Sequence, residues 1–196
     1  MAKPADRQVA LCPPLTALFS RTGYDGTALS AITDATGLGK GSLYHAFPGG
    51  KAEMGALVLE AERDWFDAHV IAPLSAPGNP PGRAIPAVLE TLRAHVAGDR
   101  RPCLHALFAQ TDAEGLFAAR SKDFFEQWRA ALYACLSRAG VKDRHAAALA
   151  DETLAVLLGG QVLSRATGAQ EAANQAIDRQ GSRLLAAAGR PTAASR

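Results

Sequence analysis

Between its breaks the chain repeats apolar side chains at every third or fourth position, the spacing of helices that bury one face. Leu57, Ala61, Trp65 and Ala68 share one face of a helix expected from about Lys51 to Ala72. Val88, Leu92 and Val96, with Leu89 beside them, mark another from about Arg83 to Ala97. Phe117, Phe124, Trp128, Leu132 and Leu136 supply buried faces to the helices that follow. Two late helices are expected, from about Asp143 to Ala166 and from about Gln170 to Ala188. The first of these carries Ala148, Leu149, Leu154, Val156, Leu157, Leu158, Val162 and Leu163, so it is apolar around much of its circumference. Such a helix belongs in a large core or at a subunit interface. Alternating β-branched and aromatic runs are missing, and Ala, Leu, Arg, Glu and Gln dominate; the expected fold class is all-α.

The most specific segment runs from Gly23 to Lys51 and reads as helix, tight turn, helix. Thr27 is expected to cap the first helix, whose buried face is Leu29 and Ile32. Gly37 supplies the positive φ of a sharp helix end, and Leu38 plugs the space between the helices. Gly39 caps a short second helix, Lys40 to Phe47, anchored by Leu43 and Phe47. Lys40, Ser42, Tyr44 and His45 then project outward, a set that suits phosphates and base edges in a duplex groove. These residues alone leave two readings open, a DNA-reading motif and an ordinary helical hairpin with a polar face.

Charge and cysteine content narrow the picture. The net charge is +2, and all of it falls in residues 1–51, where Lys3, Arg7, Arg21, Lys40 and Lys51 face only Asp6, Asp25 and Asp34. A basic first quarter is a weak sign of a polyanionic partner. Cys12, Cys103 and Cys135 are odd in number and far apart, which argues against a disulfide framework and for a reducing cytoplasm. The first residues do not read as a secretory signal, and charged residues or glycine interrupt every candidate membrane span, so no membrane partner is expected.

The run Lys40-Gly41-Ser42-Leu43-Tyr44-His45-Ala46-Phe47, placed after Ile32 and Gly37, resembles the signature of the TetR family of transcriptional regulators. Pro48-Gly49-Gly50-Lys51 resembles its LmrA/YxaF-like branch, and the match extends over about residues 19–54. The segments around Cys103 and Trp128 are similar to that branch as well. The resemblance implies a helix-turn-helix DNA-binding domain over residues 1–50 and a larger helical ligand-binding and dimerisation domain over 51–196. It implies a homodimer on double-stranded operator DNA, released by a small-molecule effector. Carried over by position, Lys40, Gly41, Ser42, Tyr44 and His45 would contact DNA, with Thr27 and Lys51 on phosphates.

Three positions depart from the family pattern. Pro13-Pro14 is expected to interrupt the first helix, with Pro14 at its first position and residues 1–11 a separate turn or arm. Thr33 and Thr36 stand where small Ala is common, and are expected to tighten or shift the helix pair. Gly39 replaces the usual Ser or Pro and loosens the turn.

Aromatic and polar residues interleave in the middle of the chain, a composition suited to a small-molecule pocket or to a packed core. The pocket candidates are Trp65, Phe66, His69, Arg93, Cys103, Phe108, Phe124, Trp128 and Gln161. Arg100 and Arg101 would lower the Cys103 pKa were it a redox sensor; a buried structural thiol is the other reading. Gly159-Gly160 and the alanines around them make the last two helices the expected dimer interface. No Glu stands three residues before any His, and no paired His or Cys has zinc spacing. Phosphate loops and nucleophile elbows are missing too, so no metal, cofactor or catalysis is expected. An activator, and a helical interaction module that does not bind DNA, are the alternatives to a repressor.

Overall fold

The computed structural model describes residues 4–99 and 102–189, and among the described residues every regular element is a helix. In chain order these are α1 (Pro4–Thr22), α2 (Leu29–Thr36), α3 (Lys40–Ala46) and α4 (Gly50–Phe66). A π-helical turn (Asp67–Ile71) follows, then α5 (Ala72–Ser75), α6 (Pro81–Asp99), α7 (Leu104–Thr111), α8 (Ala118–Arg138), α9 (Asp143–Thr167) and α10 (Glu171–Ala188). The helices expected from apolar spacing are all present, with ends moved by a few residues.

Helix α1 corrects the expectation at Pro13-Pro14, because it runs through both prolines from Pro4. Leu11, Leu15, Leu18 and Phe19 fall on one face and are all buried, and a break at Cys12 would withdraw Leu11 from the core. The two missing N–H groups would have bonded the carbonyls of Val9 and Ala10, which occupy exposed positions that water can reach. The arm expected over residues 1–11 is therefore helical from Pro4; residues 1–3 lie outside the described residues. The helix expected to end at Ala72 continues to Ser75 by way of the π-helical turn. That turn sits just ahead of Pro73, which has no N–H to give to the carbonyl four residues back.

The chain forms two compact units. The first comprises residues 1–64 and 103–122, the second residues 65–102 and 123–196. This division differs from a boundary at residue 50. Met54, Val58 and Leu59 of α4, with Leu104, Phe108 and Phe117, bury in one core with Leu15, Phe19, Ile32, Leu43 and Phe47. An aromatic cluster sits inside it: Tyr24 meets Phe117 at 4.8 Å and Phe108 at 5.6 Å, and Phe108 meets Phe19 at 5.4 Å. Phe108, a pocket candidate, is fully buried as part of this core.

In the second unit α9 and α10 pack as an antiparallel hairpin, and α10 lies against α6. Gly160 is required there, since a Cβ would fall 2.5 Å from Ala176 Cβ. Buried Gln180 donates to Thr153 Oγ1 at 2.7 Å, a polar pairing that fixes the register of the two helices. Ala146, Ala150 and Leu157 are buried within the subunit as well. Of the small-residue surface expected between subunits, Gly160, Ala146 and Ala150 therefore pack inside one, while Gly159 and Ala148 remain exposed.

Candidate nucleic-acid interface

Helix α2 starts after Ala28, whose extended backbone (ψ 151°) makes it the cap without a side-chain hydrogen bond. Thr27, the expected cap, turns inward instead. It is 1% exposed, and its hydroxyl donates to the Gly23 carbonyl at 2.6 Å and lies against the Thr22 hydroxyl. The Thr27 side chain thus braces the turn after α1 and is withdrawn from the surface that would meet a phosphate. Helix α2 ends on Gly37 at φ +66°, as its sequence implies. The Thr33 and Thr36 hydroxyls are satisfied by the Ser30 and Ile32 carbonyls of the same helix.

Gly39 opens α3 with extended backbone (ψ 156°) and no side-chain cap. Leu43, Ala46 and Phe47 are buried and hold α3 to the core, while Leu38 packs partly against it. Lys40, Gly41, Ser42, Tyr44 and His45 are all exposed, Tyr44 by 43%. Nothing lies within 4 Å of where a Gly41 Cβ would stand, so the backbone there is open to an approaching surface. Five of the seven candidate contact residues thus share one outward face.

Lys51 takes a role that sequence reasoning missed. Its ammonium donates to the carbonyls of Tyr24 (3.1 Å) and Thr27 (3.3 Å) and sits 4.5 Å above the Tyr24 ring. The cation joins the start of α4 to the turn before α2. Gln8 was missed too. Its amide donates to the Ala46 carbonyl at 2.8 Å and to Glu53 at 3.0 Å, and Glu53 also accepts from the Gly49 N–H. The first turns of α1 are pinned in this way to the end of α3.

The pocket candidates divide between the units. In the second unit a cavity of about 10 Å³, room for a water molecule, is lined by Leu92, Val96, Trp128, Leu157, Gln161, Ala173 and Ile177. Only Trp128 and Gln161 of the nine candidates line it. Phe66 and Phe124 are buried next to Trp128, with ring centroids 5.1 and 6.2 Å away. Trp65 instead stacks on His95 at 3.8 Å and on His69 at 4.8 Å. Arg93 pairs with Asp178 and Glu90.

Cys103 lies in the first unit, buried beside Glu62, and desolvation followed by that carboxylate pushes its thiol well above the usual range. Those are the properties of a structural thiol rather than a redox sensor. Arg100 and Arg101 lie outside the described residues. Burial raises the Cys135 thiol in the same way.

Comparison with known proteins fits this geometry. Residues 16–56 match the bacterial regulatory proteins of the tetR family, and residues 81–179 match the C-terminal domain of LmrA/YxaF-like transcriptional regulators. The HTH-type transcriptional regulator LmrA of Bacillus subtilis (strain 168) is 31% identical over 87 residues, 44% of this chain and 46% of that protein. The aligned part thus spans about half the length of that relative. A TetR transcriptional regulator from Legionella pneumophila has the same fold, with TM-score 0.78 and 19% identity over 93% of this chain and 98% of its own. One from Agrobacterium tumefaciens gives 0.78 and 20% over 92% and 98%. Proteins of this kind are transcriptional regulators and not enzymes; they bind operator DNA and typically dimerise. From its first matched helix to its C-terminal helices, the chain belongs to the TetR family of DNA-binding transcriptional regulators, in the LmrA/YxaF-like branch.

Proposed function

We propose that the protein is a cytoplasmic homodimeric repressor that reads a palindromic operator with α3 and releases it when a small, mostly apolar ligand enters the second unit. The observation that carries the DNA half is the outward row on α3. Lys40, Ser42, Tyr44 and His45 stand clear of the core while Leu43, Ala46 and Phe47 anchor the same helix. Lys40 neutralises a phosphate, Gly41 lets the backbone come close, and Ser42, Tyr44 and His45 donate to phosphates or base edges. Thr27 and Lys51 act behind this face by fixing the turn ahead of α2.

Tyr44→Ala and Lys40→Ala are expected to weaken specific binding to operator DNA without unfolding the protein, since exposed substitutions of this kind cost little stability. Lys40→Ala should also reduce the salt dependence of binding by about one counterion. Titrations of labelled operator at several salt concentrations measure both. Unchanged binding by both variants would remove α3 as the reading element.

The ligand half is supported by the cavity at Trp128. Its lining is apolar apart from the Gln161 amide and carries no charged group. That chemistry suits an uncharged, largely apolar molecule with one hydrogen-bonding group, and a ligand of any size must spread the walls. Binding should therefore change Trp128 fluorescence. Linkage requires that operator DNA weaken such a ligand by the same factor by which the ligand weakens DNA binding. A ligand that binds equally with and without operator is not the effector.

The dimer reading rests on the outer face of α9 and α10. Val162 and Leu163 are each 58% exposed and Leu185 37%, and nothing stands within 4 Å of a Cβ placed on Gly159. Helix α9 is long and apolar enough to cross a membrane, yet only a third of its most apolar stretch is buried in the subunit. Pairing of two such hairpins about a two-fold axis would cover that face.

A further inference from the structure

The first unit holds a half-buried acid that DNA contact does not use. Glu62 lies on α4 twelve residues beyond Gly50, about 18 Å along the helix. Its two carboxylate oxygens accept from the backbone N–H groups of Leu104 (3.0 Å) and His105 (3.1 Å), the first two residues of α7. Cys103, the residue at the cap position of α7, makes no side-chain capping bond, so the cap comes from another helix. A third bond joins the same turn to α4, between His105 Nε2 and the Leu59 carbonyl at 3.2 Å.

The opposite end of α7 is fastened to the turn that leads into α2. Tyr24 N donates to Thr111 Oγ1 at 3.0 Å, Asp25 N to the Thr111 carbonyl at 2.9 Å, and Ala113 N to the Asp25 carboxylate at 2.8 Å. Contact there is close enough that a Cβ on Gly23 would fall 2.6 Å from Thr111 Oγ1. Eight residues of helix thus tie α4 to the entry of the helix-turn-helix, with no slack at either end.

We propose that Glu62 is a positioning residue for DNA reading: its carboxylate fixes the start of α7, and Thr111 passes that position to the Tyr24–Asp25 turn from which α2 and α3 depart. This rests on the operator-binding reading above, and the experiment separates the two. Glu62→Gln keeps the size and one acceptor but sets an amide N–H₂ against a backbone donor. Thr111→Val removes the acceptor at the far end at constant shape, and Thr111→Ser restores it.

Hydrogen exchange without DNA is measured residue by residue, and operator affinity is measured beside it with Tyr44→Ala as the control for reading. Expected for Glu62→Gln is faster exchange at Leu104 and His105 and also at the remote amides of Tyr24 and Asp25. Operator affinity, measured above pH 7 where the Glu62 carboxyl is ionised, should fall about tenfold in Glu62→Gln, whose bonds are to a charged group, and by less in Thr111→Val, which loses a neutral bond. Thr111→Ser should stay near wild type. The double variant should lose no more than the worse single one, since both cut one tie. Remote amides as protected in Glu62→Gln as in wild type would overturn the proposal, as would unchanged operator affinity in a wild type shown to bind. Should the wild type bind no operator, the DNA reading falls, and the exchange at Tyr24 and Asp25 still decides whether the tie exists.

Discussion

Val162→Arg is expected to turn the protein into a monomer at micromolar concentration and to lower operator affinity by about a hundredfold or more. Val162 is 58% exposed in the subunit, so an arginine there is tolerated by the isolated fold. In a two-fold interface the same side chain enters the seam twice. A desolvated charge without a partner costs several kcal/mol, and this one is paid for at both copies. Two reading helices held together gain about 10²–10⁴ in avidity over one, which a monomer forfeits. Sedimentation velocity and operator titration measure the two effects on one sample. A Val162→Arg protein that still sediments as a dimer would place the interface elsewhere. Leu157→Arg, which looks equivalent in the sequence, is not a test of this kind: Leu157 is 6% exposed and lines the cavity of its own subunit. Its failure would report unfolding.

That contrast shows how far the amino-acid pattern reaches. Apolar spacing marks α9 as apolar around much of its circumference, but spacing does not distinguish a face covered by α10 from one covered by a second subunit. Gly159 and Gly160 are neighbours in sequence, and only Gly160 meets the facing helix. The outward face of α3 was legible because a short helix with Leu43 and Phe47 inside leaves Lys40, Gly41, Ser42, Tyr44 and His45 outside. Thr27 and Lys51 were legible as important and not as to role. A threonine before a helix satisfies a cap or a turn equally well, and a lysine's reach lets it find carbonyls 24 and 27 residues away. Pro13-Pro14 misled because local backbone preference is weaker than the burial of Leu11, Leu15, Leu18 and Phe19 together. Glu62 gave no signal at all. Its partners are backbone N–H groups more than forty residues away, which carry no side-chain identity.

The pair formed by Glu62 and His105 carries the second large effect, in the dependence of stability on pH. Burial raises the Glu62 carboxyl from 4.5 to about 7, against the opposing pull of the Leu104 and His105 N–H groups. Between those values the folded protein holds a proton that the unfolded chain has released. Stability from this group is therefore complete below the lower value and declines as pH rises to the upper one. His105 runs the other way. Burial lowers its ring from 6.5 to about 4, and Arg63 and Arg120 add to the shift while the bond to Leu59 resists it. Here the unfolded chain holds the extra proton, so stability rises with pH from about 4 to 6.5 and is lost on acidification through the lower value. Each shift is worth about 3 kcal/mol over its window. The windows overlap between pH 4.5 and 6.5, where the two slopes oppose and largely cancel in the wild type. Removing one partner should expose the other. Glu62→Gln minus wild type should give a difference curve that climbs with pH between 4.5 and 7. His105→Gln minus wild type should give one that falls with pH between about 4 and 6.5. Urea unfolding at half-unit steps of pH measures both curves. Flat difference curves for both variants would mean that neither group titrates apart from its unfolded value. Two curves of the same sign would mean that the acid and the imidazole respond to one shared change rather than to their separate burial.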